Sequence, residues 1–180
     1  MRSGWVSDDV MGHLLAALTP PNRLACEMSL RYGMRIGDVL NIKTEQLHSE
    51  KLSYREEKTG KRRVVHVSAQ FRLRLLSQAG RLYVFEHRTD PLRHRTRQAV
   101  WKDLKRVAYV YRLKDVSVHS CRKGYAVRRY RECGDLRRVK QLLNHSDEAV
   151  TMLYAMADVL SKRVEKSFTR FSHNYHTAIT

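Results

Sequence analysis

Lys51-Leu52-Ser53-Tyr54-Arg55-Glu56-Glu57-Lys58-Thr59-Gly60-Lys61-Arg62-Arg63-Val64-Val65-His66-Val67 is the stretch that decides the fold class. Residues 51–57 and 62–67 read as two strands around Lys58-Thr59-Gly60-Lys61, a β-hairpin turn. Val64, Val65 and Val67 suit the second strand, because β-branched side chains fit a pleated surface. Everywhere else the apolar pattern is helical. The expected fold class is therefore mainly α with a small antiparallel β-sheet, an α+β arrangement.

Upstream of the hairpin, Ser7 is placed to cap a helix over 8–18, with Val10, Leu14, Leu15 and Leu18 at helical spacing. Thr19-Pro20-Pro21 breaks it, and Pro21 opens a second helix that runs to Tyr32 and ends at Gly33. A short helix over 36–42 turns Ile36, Val39 and Leu40 inward. Downstream, helical patterns cover 69–78, 95–111, 119–131, 136–143 and 148–154, and an amphipathic piece covers 159–171. There is no internal repeat and no low-complexity linker.

Composition narrows the function. The chain has 180 residues, enough to bury a core without disulfide or metal staples. Apolar residues make up 42%, which argues against global disorder. Lys and Arg number 35 against 18 Asp and Glu, a formal net charge of +17. Such a surplus draws polyanions, and counterion release then supplies much of the affinity for nucleic acid. Charge alone does not separate a reader of DNA from a cutter of it.

Cys26, Cys121 and Cys133 form no CxxC and no paired framework, which points to a reduced, cytoplasmic protein. No 18-residue apolar run is present, so no transmembrane helix is expected, and the N-terminus lacks the order of a signal peptide. The histidines fit neither HExxH nor a Cys/His zinc pattern, and no P-loop or GxGxxG occurs. No metal, nucleotide or other cofactor is therefore expected, nor a small-molecule substrate.

Several polar residues have no structural task in this pattern. Arg35 follows the helix-ending Gly33 in Tyr32-Gly33-Met34-Arg35-Ile36-Gly37-Asp38-Val39-Leu40, with Asp38 three residues on. Lys58 sits on the hairpin turn. His119 and Arg122, in His119-Ser120-Cys121-Arg122, share a face at a helix start. His145 lies in a break between helices, and Tyr154 lies near a helix end. Taken singly, each has an ordinary structural reading: a surface cation, a capping histidine, a half-buried tyrosine.

Taken in order, Arg, Lys, His-x-x-Arg, His and Tyr resemble the tyrosine recombinase (phage integrase) family. The segments that carry the resemblance are YGMRIGDVLNIK, KTGKRRVVHV, VHSCRKGYA and LLNHSDEAVTMLYA, together with Gly134. It covers roughly residues 5–154, the family's catalytic domain; the family's N-terminal core-binding domain is not expected within the chain. Asn144-His145 replaces a frequent Gly-His, and Cys121-Arg122-Lys123 replaces a common Leu-Arg-His, but neither change removes a catalytic group. The expected layout is a catalytic domain over 1–157 and a C-terminal helix or tail over 158–180, which either packs on its own core or, as the resemblance implies, docks on a neighbouring protomer.

The resemblance implies a double-stranded DNA substrate, cleavage through a 3′-phosphotyrosyl link, and self-association on DNA. It makes Tyr154 the nucleophile and Arg35 and Arg122 an anion clamp. His119 becomes the general base, Lys58 the general acid and His145 a donor to a nonbridging oxygen, while Asp38 supports Arg35 or its neighbours. Two basic clusters, Arg93-His94-Arg95-Thr96-Arg97 and Arg128-Arg129-Tyr130-Arg131, are candidate phosphate grips. Other readings stay open: an invertase built from a catalytic domain alone, a type IB topoisomerase-like activity, a non-catalytic DNA-binding regulator on the same fold, and a basic RNA-binding module.

Overall fold

A computed structural model describes residues 6–143 of the 180. The chain divides into two compact units, Met1–Tyr125 and Ala126–Thr180, and the division falls within one helix, Val118–Cys133. The helices expected over 148–154 and 159–171, and with them His145 and Tyr154, lie outside the described residues.

The first unit opens with α1 (Asp8–Ala16), whose first turn Ser7 caps by accepting the Val10 N–H. Helix α2 (Pro20–Tyr32) starts on its proline pair, which has no N–H to lose at a helix start, and ends at Gly33 with φ 66°. The short α3 (Ile36–Leu40) follows. Helix α5 (Arg97–Val110) comes after α4 (Ala69–Leu76) in sequence but packs against α1, α2 and α3. Its inward stripe, Val100, Leu104 and Val107, sits at helical spacing. Fully burying a leucine such as Leu104 stabilises the fold by roughly 1.5–3 kcal/mol.

The hairpin forms as expected, with slightly shorter strands. Strand β1 (Lys51–Arg55) pairs antiparallel with β2 (Arg62–His66), setting Leu52 opposite Val65 and Tyr54 opposite Arg63. Leu52, Tyr54 and Val65 point inward and are buried, which fixes the register, since a one-residue slip would expose them.

Two features had no signal in the apolar pattern. A 3-10 helix, Thr44–His48, precedes β1; it is too short for periodicity to reveal. Side-chain amides hold it: Gln46 accepts the Lys43 N–H at 2.8 Å and donates to the Ser53 carbonyl at 2.7 Å. The segment after α4 then runs beside it, with the Val84 N–H donating to Ile42 and an isolated bridge between Lys43 and Tyr83. The Lys43 ammonium lies 3.6 Å from the centre of the Tyr83 ring.

Helix α6 (Val118–Cys133) begins on a reciprocal cap. The Ser117 hydroxyl accepts the His119 N–H, and the Ser120 hydroxyl accepts the Ser117 N–H. In the second unit, Gly134 takes φ 64° and closes α6 by donating to Tyr130. Asp135 then caps α7 (Leu136–Leu142) through the Arg137 and Arg138 N–H groups. No described helix is long and apolar enough to cross a membrane.

Candidate active site

Arg35 owes its position to the end of α2. Gly33 takes the left-handed backbone that an L side chain avoids, and the buried Ser29 hydroxyl donates to the Met34 carbonyl at 2.8 Å. The chain therefore turns sharply, Met34 and Ile36 are buried, and Arg35 is left at the N-cap of α3 with its side chain 18% exposed. Asp38, in the first turn of α3, is buried. Its Oδ1 accepts the Glu57 N–H at 2.9 Å, which ties α3 to the hairpin. Its Oδ2 lies 4.0 Å from Arg35 Nη1. Burial raises the Asp38 carboxyl above its ordinary range, against the lowering pull of the Glu57 amide and Arg35.

The nearer partner of Arg35 is Glu56, a residue that the family pattern leaves without a role. Its Oε2 is 3.0 Å from Arg35 Nη1, and its Oε1 is 3.2 Å from Arg63 Nη1. Thr59 donates its hydroxyl to Oε2 at 2.7 Å. Glu56 is 1% exposed. A signal for it did exist: Leu52, Tyr54 and Glu56 alternate, so a carboxylate continues the inward face of β1.

Arg122 reaches the same place from α6. It is buried, and its guanidinium is pulled down to about 10. Burial is the largest cause and the positive charge of Arg35 the next, with Glu56 acting in the opposite direction. Arg35 and Arg122, far apart in sequence, thus feel each other's charge in a desolvated spot. Among the described residues, three guanidinium groups (Arg35, Arg63, Arg122) meet two carboxylates (Asp38, Glu56), a formal surplus of one positive charge. A phosphodiester monoanion carries the matching charge. The ion pair between Arg35 Nη1 and Glu56 is not an aligned hydrogen bond, so the buried Nη1 keeps donor capacity among the described residues.

His119 stands one turn before Arg122 on α6 and is exposed. Lys58 is exposed on the hairpin turn, two residues from Glu56. Arg35, Asp38 and Arg122 are thus brought together, while His145 and Tyr154 lie outside the described residues. The basic cluster over 93–97 is partly structural. Arg95 Nε donates to the buried Asn22 at 2.6 Å and Thr96 caps α5, whereas Arg93 and Arg97 face solvent. In the second unit, Arg129 pairs with Glu132 at 2.6 Å. Among the described residues no group of three His, Cys, Asp or Glu is placed to hold a metal ion.

The hairpin, the arginine pair from α3 and α6, and the helices around them define a class of fold, and comparison with known proteins places it. The chain belongs to the phage integrase family, whose model matches residues 5–160. It is 31% identical over 149 residues to the tyrosine recombinase XerD of Lacticaseibacillus casei, covering 74% of this chain and 49% of that protein. The chain spans about half the length, or less, of the curated relatives it matches.

Solved structures show the same fold. The XerH recombinase in a post-cleavage complex with palindromic difH substrate has a TM-score of 0.69 at 17% identity, covering 96% of this chain and 54% of that one. The catalytic domain of bacteriophage HP1 integrase has a TM-score of 0.60 at 18% identity, covering 86% of this chain and 88% of that one.

Proposed function

We propose that this chain is the catalytic domain of a site-specific recombinase that cleaves and rejoins double-stranded DNA through a 3′-phosphotyrosyl intermediate. The observation that carries the reading is the desolvated meeting of Arg35 and Arg122. Two guanidinium groups that never lose their charge at neutral pH suit a doubly charged, phosphorane-like transition state, because each donates in a fork to phosphate oxygens. A protein that only bound DNA would place such cations on its surface. Burying Arg122 beside the partly buried Arg35 is costly, and stabilising charge that develops during reaction is what offsets such a cost in an enzyme.

In this reading Tyr154 attacks phosphorus with its phenol oxygen, and its proton passes to the imidazole of His119, the general base. The P–O5′ bond breaks, and the leaving oxygen takes a proton from Lys58. His145 donates to a nonbridging oxygen. Asp38 supports Arg35 by fixing α3 to the hairpin. The products are a 3′-phosphotyrosyl link and a free 5′-hydroxyl. Attack by the 5′-hydroxyl of another strand reverses these steps and reseals the DNA, and because the covalent link conserves the bond energy no nucleotide is consumed.

Exposed basic residues such as Arg93 and Arg97 grip phosphates beside the cut, and copies of the protein assemble on DNA through the segment 158–180. Incubation with a nicked suicide DNA carrying the native recombination site tests the reading. A covalent adduct on a denaturing gel is expected with the wild type and not with Tyr154→Phe. An adduct with the variant removes Tyr154 as nucleophile.

A further inference from the structure

Glu56 belongs to none of the assigned roles, yet it touches three of the groups around them. It is 1% exposed, and its two carboxylate oxygens are divided between Arg35 and Thr59 on one side and Arg63 on the other. Its main chain is pinned as well: the Glu56 N–H donates to Lys61 at 2.9 Å, and its carbonyl accepts the Gly60 N–H at 2.8 Å. These bonds bracket the turn that bears Lys58.

We propose that Glu56 is a positioning residue that couples the Lys58 turn to the Arg35 guanidinium, so that one buried carboxylate sets both the anion clamp and the proton donor. The inference rests on the recombinase reading above. The chemistry favours a carboxylate at this point. Glu56 accepts hydrogen bonds from Arg63 and Thr59 while it pairs with the Arg35 charge, and a glutamine would present an amide N–H toward one of the guanidinium groups. A buried acceptor with partners on both oxygens is also hard to displace, so it holds the geometry before substrate arrives. Thr59, exposed and next to Lys58, carries the link from the carboxylate into the turn.

The test compares two suicide DNA substrates that differ in one atom. In one the scissile 5′ oxygen is the natural bridging atom; in the other it is sulfur. A thiolate leaves without a proton, so the sulfur substrate bypasses whatever Lys58 supplies and leaves the arginine clamp in use. At saturating DNA, Glu56→Gln is expected to lose about 10–100-fold in adduct formation with the oxygen substrate, the scale of a small misplacement of reacting groups. With the sulfur substrate its loss is expected to be several-fold smaller.

Thr59→Val leaves the Arg35–Glu56 pair intact and changes only an exposed side chain, so it carries the test if Glu56→Gln melts early. It is expected to be slower with oxygen and equal to wild type with sulfur. Wild-type rates for Glu56→Gln on the oxygen substrate overturn the proposal. So do losses that are equal on the two substrates in both variants. The recombinase reading is tested separately, by adduct formation in the wild type and its absence in Tyr154→Phe, and neither of those overturning results changes that outcome.

Discussion

A β-carbon placed on Gly33 would lie 2.6 Å from two carbons of the Tyr125 ring. The contact joins the turn that aims Arg35 to the helix that carries Arg122, and it leaves no room for a side chain. Gly33 also has φ 66°, a conformation that costs an L residue about 1–2 kcal/mol. Overpacking adds a similar amount. Gly33→Ala is therefore expected to lower stability by roughly 2–4 kcal/mol. Urea unfolding checks this, and a midpoint equal to wild type would mean that the Tyr125 ring moves aside freely.

Arg122 is expected to trade stability for activity. Its guanidinium, buried and beside Arg35, is held at about 10, below the ordinary arginine value, so the folded state disfavours its charge. For a cation lowered in this way the sign is unfavourable at neutral pH: the cost of holding the charge is present there and is relieved only as pH rises through about 10. Arg122→Met keeps the volume and removes the charge. It is expected to raise stability by about 1–3 kcal/mol while lowering DNA cleavage by about 10²–10³-fold. A variant that both melts earlier and cleaves less would show that Arg122 is held in place mainly for stability.

Asp103 ties the start of α2 to α5. Its Oδ2 accepts from the Thr19 N–H, the Thr19 hydroxyl and Asn22, and its Oδ1 accepts from Arg106. Burial raises the carboxyl, but the bonds from Asn22, Arg106 and Thr19 outweigh it and hold the group at about 2. A depressed carboxyl stabilises the fold above its unfolded pKa, near 3.9, and that contribution is lost as pH falls toward about 2. Asp103→Asn is expected to melt earlier than wild type at pH 6, and the gap is expected to close between pH 4 and about 2. A gap that does not change with pH would assign its role to packing.

Tyr54 is buried on the inward face of β1. Its hydroxyl has no hydrogen-bond partner among the described residues, and burial pushes it up to about 12. Tyr54→Phe removes an unsatisfied group and opens no cavity, so stability is expected to stay level or rise by up to about 1 kcal/mol. Thermal unfolding of the two proteins decides it. A loss above that size would reveal a partner for the hydroxyl.

Much of the fold is legible in the sequence. The alternation of Leu52 and Tyr54, the valines of β2 and the Lys58-Thr59-Gly60-Lys61 turn specify the hairpin, because period-two burial and turn chemistry are local properties. Ser7, the Pro20-Pro21 pair and Gly33 mark helix ends for the same reason: caps act within one turn of chain. The ordered series Arg35, Lys58, His119, Arg122, His145 and Tyr154 reads as a family pattern, and the family it points to is the one whose model matches residues 5–160.

What the tertiary structure alone decided is which charges meet. In the sequence Glu56 is one more acid before a lysine, and Arg63 one more base in a strand. Only the folding of the first unit set Arg35 and Arg63 against that carboxylate and brought the charge of Arg122 to bear on them. Local sequence encodes the direction a side chain leaves its own element. Coulomb interactions depend on distances between elements far apart in the chain, and desolvation depends on everything packed around them. Neither is a property of any single stretch of sequence.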